Sequence, residues 1–193
     1  MQQAQIVTSA IRERRSVKIP HFKAGVKIPG DIIDEALTNA TWAPNHGRTE
    51  PWQFIVYTGS AIEQLCVFQS ELYKKESGEK FTEAKYQKLK CDFVKASHVI
   101  AICLKRDAHS KFPEIEEISA VAAAVQNFAL TLHAHGYGGY WTTGGVTYYE
   151  SAKPYFDLKE NDKLMGFYVC GVVDIIPAAS PRKPISEKVV WVK

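Results

Sequence analysis

The sequence predicts an α/β or α+β sandwich built around one central sheet. Amphipathic stretches with the 3.6-residue period of helices alternate along the chain with short, strongly apolar runs that are typical of strands. The chain has 193 residues, of which 46% are hydrophobic, so it is long enough to bury a core of its own. No repeat, low-complexity block or linker divides it, and we expect a single domain over residues 1–193.

Four stretches have the pattern of helices, and in chain order they are Gln5–Arg14, Asp31–Ala40, Ser60–Lys75 and Glu114–His135. Asp31 can serve the second helix as its N-cap or as an acid in its first turn, and Pro44 prevents this helix from continuing. The fourth helix is apolar nearly all round, so we expect it to be buried on several sides. Its many alanines allow another helix to approach closely, either in the core or across a subunit contact.

Three apolar runs predict strands, at Trp52–Gly59, Ser97–Lys105 and Lys163–Val173. We interpret the first of them as a buried strand. The intervening segment Lys74–Lys90 is highly charged and poor in large apolar residues. We interpret it as an exposed, mobile excursion that could act as a lid over a site. A solvated helix face without any function explains the same composition equally well.

The composition excludes several classes of protein. A net charge of +3 suits anionic small ligands but is too weak to indicate nucleic-acid binding. The most apolar stretch predicts a buried helix and not a membrane span, because it contains Gln126, Asn127, His133 and His135. The N-terminus has no signal-peptide pattern, and the four cysteines lack paired spacings. We therefore expect reduced thiols and a cytoplasmic protein.

The segment RERRSV, Arg12–Val17, is the first candidate site. Arg14 and Arg15 leave a helix immediately before Ser16, so that two guanidinium groups and a hydroxyl are available to a phosphate or carboxylate. The same arginines could instead serve only the helix, because cations are favourable near a helix C-terminus.

Two further segments contain residues that a simple connection between secondary-structure elements does not require. In Thr41–Tyr57, His46 lies between Asn45 and Gly47, where it can be a turn histidine or a ligand donor. In His133–Gly145 the glycines follow a helix and have GxGG spacing, which differs from the GxGxxG of a Rossmann dinucleotide loop. These glycines either let the backbone approach a flat ligand or form a turn into an edge strand.

Motifs for catalysis by the protein's own side chains are missing from the sequence. It contains no HExxH, no calcium-loop pattern and no GxSxG, and His133 and His135 point to different faces of a helix. No acid–base pair stands out either. If the protein is an enzyme, a bound cofactor should therefore carry the chemistry.

Together these segments resemble the nitroreductase family of flavin enzymes over nearly the whole chain. RRS leaves the first helix, A-P-x-H follows the second and leads through PWQFIV into a strand, and G-x-G-G-x-W-x-[ST]-G follows the long apolar helix. GFYVCG then precedes PRKPISEKVVW near the end. The compact length and the histidine two residues after Pro44 are similar to the short single-domain branch of the family.

The resemblance implies an α+β fold with a central, mostly antiparallel sheet flanked by helices. It also implies an intertwined homodimer with one FMN in each of two clefts at the subunit interface. By matching position, Arg14, Arg15 and Ser16 would hold the FMN phosphate and ribityl chain, and Arg182 would add a second cation for the phosphate.

The resemblance assigns other residues to the flavin ring. Trp42 and His46 would line it from the partner subunit, and Trp141, Thr142 and Thr143 would lie along the isoalloxazine or its tail. The short branch often has arginine at the position of Trp42 and an arginine–serine pair in place of the two threonines. We hypothesise that Trp42 substitutes ring stacking for the missing charge.

The function that the resemblance implies is FMN-dependent oxidoreduction. NADPH or NADH would pass a hydride to flavin N5, and a flat acceptor such as a nitroaromatic or a quinone would take the electrons in the second half of a ping-pong cycle. The residues favour neither nicotinamide. Two alternatives stay open: a flavin-binding protein without turnover, for storage or sensing, and a module that binds an acidic partner through Arg12, Arg14 and Arg15.

Overall fold

The computed structural model describes residues 2–106 and 112–193 and consists of helices packed on a four-stranded sheet. The helices are α1 (Gln2–Glu13), α2 (Gly30–Ala40), α3 (Ser60–Glu76), α4 (Glu83–Cys91) and α5 (Glu114–Ala134). The strands are β1 (Trp52–Thr58), β2 (His98–Leu104), β3 (Tyr137–Thr142) and β4 (Lys163–Val172).

The sheet has the strand order β1-β2-β4-β3, and every neighbouring pair is antiparallel. This confirms the predicted α+β fold with a central antiparallel sheet. All residues of β2 are buried, as expected of an inner strand. The prediction that β1 is a buried strand was wrong for most of its length, because β1 is an edge strand and its residues after Trp52 are half-buried or exposed.

Helices cover both faces of the sheet, and the alternation of side chains along β2 shows how. Ile100, Ile102 and Leu104 face a core shared with α2 and α5, whereas Val99 and Ala101 face a second core shared with α3. Successive residues of a strand point to opposite faces, so one strand serves both cores. The long helix α5 thus lies against the sheet, as its apolar sequence predicted.

The glycine-rich segment after α5 forms the edge strand β3. Gly138 and Gly139 are both buried within this strand. The structure therefore supports the interpretation of this segment as a turn leading into an edge strand. The sheet has four strands, one more than the three that the apolar runs predicted.

The charged segment Lys74–Lys90 contains the end of α3, a 3₁₀ turn and most of α4. The segment is largely exposed, as predicted. Its helix α4 packs on α3 and has Leu89 as its buried residue. The Tyr73 hydroxyl donates to the carbonyl of Lys80 at 2.9 Å and accepts from the amide of Thr82 at 3.0 Å, which ties the turn to α3. The role of this segment as a lid stays a prediction.

Two segments expose apolar side chains. No residue of α1 is buried, and Ile6, Val7 and Ile11 are each more than half exposed. The chain from Val190 to Val192 near the C-terminus is more than four-fifths exposed. Within residues 2–106 and 112–193, no helix is both long and apolar enough to cross a membrane.

Candidate functional site

The arginine segment is fixed in place by a contact with β3. After α1 ends at Glu13, Ser16 forms a parallel bridge with Gly139, and the amide of Val17 donates to the Gly139 carbonyl at 3.0 Å. A Cβ atom at Gly139 would lie 2.5 Å from Cε1 of Tyr168 and 2.6 Å from the carbonyl oxygen of Val169. A glycine is therefore required at this position, where β3 lies against Tyr168 and Val169 of β4.

A cavity of about 570 Å³ lies between this segment and the C-terminal residues 177–182. We call it the arginine cavity. Arg14, Arg15, Ser16 and Arg182 line it, together with Arg12. The structure thus brings together the four residues to which the family resemblance assigned the FMN phosphate and ribityl chain, although Arg182 is far from the others in the chain.

Arg14 and Arg15 differ in the hydrogen bonds that their side chains make. Nη1 of Arg15 donates to the carbonyl oxygens of Arg12 at 2.6 Å and Arg14 at 3.0 Å, so this side chain stabilises the C-terminal end of α1. Nε of Arg14 is buried and has no hydrogen-bond partner among the described residues. A buried donor of this kind costs free energy unless a ligand or water accepts its hydrogen. Arg14 therefore keeps a buried donor for a ligand or water, whereas Arg15 is engaged by the helix.

A second cavity, of about 180 Å³, shares Arg14 and Ser16 with the arginine cavity and continues between β3 and α5. We call it the strand cavity. Trp141 forms part of its wall, and the indole N–H donates to the carbonyl of Met165 at 2.8 Å, which fixes the ring. Tyr140 also borders it, but its ring packs on the second core, on the opposite face of the sheet from Trp141.

Gln126 is a residue of the strand cavity that the sequence analysis did not select. It is the exposed polar position in the middle of the apolar helix α5, and it faces the cavity together with Ala122 and Ala129. Two adjacent amides, Gln126 and Asn127, interrupt this apolar helix, and they were the signal that could have found it. Its side chain can both donate and accept hydrogen bonds to a ligand.

Thr142 and Thr143 lie just beyond these cavities and line neither of them. Thr142 ends β3, and its hydroxyl accepts from the amide of Gly144 at 3.4 Å, whereas Thr143 is exposed. The following Gly145 has a φ of +67° and packs against the buried amide of Gln69. The threonines therefore belong to a turn that is supported from α3, close to the strand cavity but outside it.

His46 occupies a different cleft. Its Nδ1 atom lies 2.5 Å from Oε2 of Glu116 in the first turn of α5, and its ring lies 3.8 Å from the ring of Phe112. Together with Asn45 it borders a cleft of about 440 Å³ whose floor is the outer face of α5. We call this the histidine cleft. The sequence analysis missed Glu116, because it is far from His46 in the chain.

Trp42 borders none of these three cavities, and 81% of its surface is exposed. It follows α2 directly and leads to the turn that carries His46. Within one chain, therefore, Trp42 and His46 lie apart from the arginine cavity. This separation is compatible with the expectation that both residues act on the cofactor of a partner subunit.

Three comparisons place the chain among known proteins. The sequence model of the nitroreductase family matches residues 11–172. YfhC of Bacillus subtilis, named for a proposed NAD(P)H nitroreductase activity, is 26% identical over 186 residues, which cover 96% of this chain and 94% of that protein.

Solved structures agree with this match. A nitroreductase-like family protein from Bacillus cereus has a TM-score of 0.80 at 27% identity, covering 97% of this chain and 96% of the other. The FMN-dependent nitroreductase NfnB from Mycobacterium smegmatis, solved in complex with NADPH, has a TM-score of 0.76 at 18% identity, covering 99% and 100%. At this lower identity the likeness concerns the fold.

Proposed function

Because the chain belongs to the nitroreductase family, we propose that it is an FMN-dependent oxidoreductase that oxidises NADPH or NADH. We propose a flat acceptor such as a nitroaromatic or a quinone, reduced in a ping-pong cycle. The proposal agrees with the scarcity of acid–base machinery in the sequence, and with the FMN dependence of the M. smegmatis protein that shares the fold.

The observation that carries this proposal is the arginine cavity. A phosphate monoester needs cationic and hydroxyl donors, and Arg14, Ser16 and Arg182 offer both from two distant parts of the chain. The buried Nε of Arg14 is a donor without a described partner at this place. The residues present therefore fit the phosphate end of FMN.

The strand cavity fits the remainder of such a ligand. It continues from Arg14 and Ser16 towards Trp141 and Tyr140, so a molecule held at the arginines can extend along β3. In our proposal the fixed indole of Trp141 supplies a flat wall, and Gln126 supplies an amide on the opposite side. When bound, FMN supplies hydride transfer between the nicotinamide and the acceptor; the protein holds the cofactor and leaves one side open to both substrates.

We further propose that the chain acts as a homodimer. The exposed face of α5 carries Ile115, Ser119 and Gln126 at helical spacing, and alanines beside them would let a second helix approach closely. The apolar residues of α1 and of the C-terminal segment would be covered in the same assembly. In that dimer Trp42 and His46 would reach the cofactor of the partner, and sedimentation equilibrium of the purified chain tests the stoichiometry.

The experiment that tests the proposed activity is an anaerobic visible spectrum of the purified protein from 300 to 550 nm, recorded before and after NADPH and then NADH. We expect flavin bands that bleach with one or both nicotinamides. Bands that persist would favour a flavin-binding protein without turnover. A colourless protein that also fails to take up added FMN would overturn the cofactor assignment.

We also propose that residues 1–193 form one FMN-binding domain and that the protein is cytoplasmic. The family match leaves only short segments at each end, and the C-terminal one supplies Arg182 to the arginine cavity. Three of the four cysteines are buried and all are unpaired. Cell fractionation tests the location, and limited proteolysis of the FMN complex should yield no stable fragment that lacks residues 177–182.

A further inference from the structure

The histidine cleft contains a contact between two side chains that the proposed function has not used. His46 and Glu116 are 70 positions apart in the chain and meet at 2.5 Å, through Nδ1 of the imidazole and Oε2 of the carboxylate. Both side chains are partly exposed, at 59% and 41% of their surface, so they border solvent and any ligand in the cleft.

One ring contact and two features of the surrounding turn orient the His46 ring. The ring of Phe112 covers one side of it, with 3.8 Å between the ring centroids and 31° between the planes. Gly47 has a φ of +64°, and a Cβ atom at this position would collide with the same Phe112 ring. Asn45 closes the turn by accepting the amide of Glu50 on its Oδ1 atom at 3.0 Å. The glycine, the asparagine and the phenylalanine therefore orient His46 before any ligand binds.

The contact with Glu116 also determines where the hydrogen lies on the ring. An ionised carboxylate can only accept hydrogen bonds, so Nδ1 of His46 must carry the hydrogen that is shared with it. In a neutral imidazole the other nitrogen, Nε2, is then an acceptor. Without the carboxylate, no contact among the described residues would favour a hydrogen on one ring nitrogen over the other.

We propose that Glu116 is a positioning residue that holds His46 in its Nδ1–H form and leaves Nε2 free to accept a hydrogen bond from an N–H or O–H group of the FMN held by the partner subunit, whose ring would border the histidine cleft. The proposal rests on the proposed function for the identity of the ligand. The cleft fits a flat ring because Ile115, Ala120 and Ala123 form an apolar floor, while Asn45 and His46 provide polar atoms at its border.

The decisive experiment reads the tautomer directly. We would record long-range ¹H–¹⁵N spectra of the full chain labelled at its six histidines, at about pH 8 where imidazoles are neutral, and assign His46 with the variant His46→Gln. We expect the Nδ1–H pattern in the unmodified protein. Glu116→Ala should shift His46 towards the Nε2–H form, whereas Glu116→Gln should retain Nδ1–H, because its amide oxygen still accepts.

A matched control is available on the same protein. Glu35 lies 3.0 Å from Nε2 of His135, which is a second glutamate–histidine contact on the surface. Glu35→Ala should change the signals of His135 and leave those of His46 unchanged. The proposal is overturned if His46 is in the Nε2–H form in the unmodified protein, or if Glu116→Ala leaves its tautomer unchanged.

An affinity measurement connects the tautomer to the ligand. FMN titrations followed by flavin fluorescence should show that Glu116→Ala weakens FMN binding by about fivefold, the value of one hydrogen bond, and that Glu116→Gln restores most of it. Equal losses in both variants would contradict positioning through the Nδ1 hydrogen bond. A chain that binds no FMN in any form would refute the proposed cofactor, while the tautomer spectra would still decide the role of Glu116.

Discussion

Arg14 and Arg15 are adjacent in the chain, but their guanidinium groups differ in the hydrogen bonds that they make. The Arg15 guanidinium donates to two carbonyl oxygens at the end of α1, whereas the Arg14 guanidinium has a buried Nε without a partner among the described residues. The sequence alone left open whether these arginines bind an anion or serve the helix. In the structure Arg15 serves the helix, and we propose that Arg14 binds the anion.

This difference predicts unequal effects of two alanine variants. Arg14→Ala should raise the dissociation constant of FMN by roughly tenfold to a hundredfold, because charge-assisted hydrogen bonds are worth about 1.5–3 kcal/mol. Arg15→Ala should raise it by less than about fivefold and should lower the free energy of unfolding by about 0.5–1 kcal/mol. FMN titration and urea unfolding measure the two quantities. Equal losses of affinity would mean that the helix contacts of Arg15 break when the ligand binds.

Two glycines provide a matched test of how closely β3 packs against β4. Gly139→Ala should destabilise the fold by at least about 2 kcal/mol, because its Cβ would meet Tyr168 and the Val169 carbonyl at 2.6 Å or less. Gly144→Ala adds the same methyl group in an open turn, where the Thr142 hydroxyl oxygen lies 3.7 Å away, and should change stability by less than about 0.5 kcal/mol. Urea unfolding of both variants measures the difference. Similar stabilities would show that the sheet relaxes around residue 139.

Trp42 is expected to act on ligand affinity and not on folding. Its side chain is 81% exposed, so Trp42→Ala should change the free energy of unfolding by less than about 0.5 kcal/mol. If its ring stacks on the flavin, the same variant should weaken FMN binding by about two- to tenfold, and Trp42→Phe should retain most of the affinity. An unchanged FMN affinity in Trp42→Ala would refute the stacking hypothesis.

His98 should make stability depend on pH. The Ser97 hydroxyl oxygen accepts a hydrogen bond from the amide of Ile28 at 2.7 Å and lies 2.9 Å from Nδ1 of His98. The hydroxyl hydrogen of Ser97 is therefore available to that nitrogen. Burial, with a smaller contribution from the charge of Lys27, lowers the pKa of His98. The unfolded chain therefore binds a proton more readily than the native one, and stability falls as pH decreases from about 7 to about 5.

The measurement for His98 is urea unfolding at several pH values in this window. His98→Gln should flatten the pH dependence of the free energy of unfolding, although it also lowers stability at pH 7. His135→Gln is the control, because His135 is an exposed histidine at the end of α5. A His98→Gln profile parallel to that of the unmodified protein would show that other groups cause the acid sensitivity.

Local patterns were sufficient for most of the secondary structure. The predicted helices at Gln5–Arg14 and Glu114–His135 agree with α1 and α5 within a few residues at each end, because helical periodicity depends on neighbours three and four positions away. The glycine-rich strand β3 was left open, since glycines carry no side chain that could show a period. They are required there by the close approach of Val17, Tyr168 and Val169, which come from distant parts of the chain.

The site was predictable in its residue types and only partly in its arrangement. Arginines beside a serine made an anion site one of two interpretations, and the motif order identified the family from the sequence alone. That Arg182 joins Arg14 in one cavity, that Glu116 meets His46, and that β1 lies at the edge of the sheet are consequences of packing. Such contacts arise when two distant segments bury surface against a common core, and no local property of either segment encodes the identity of its partner.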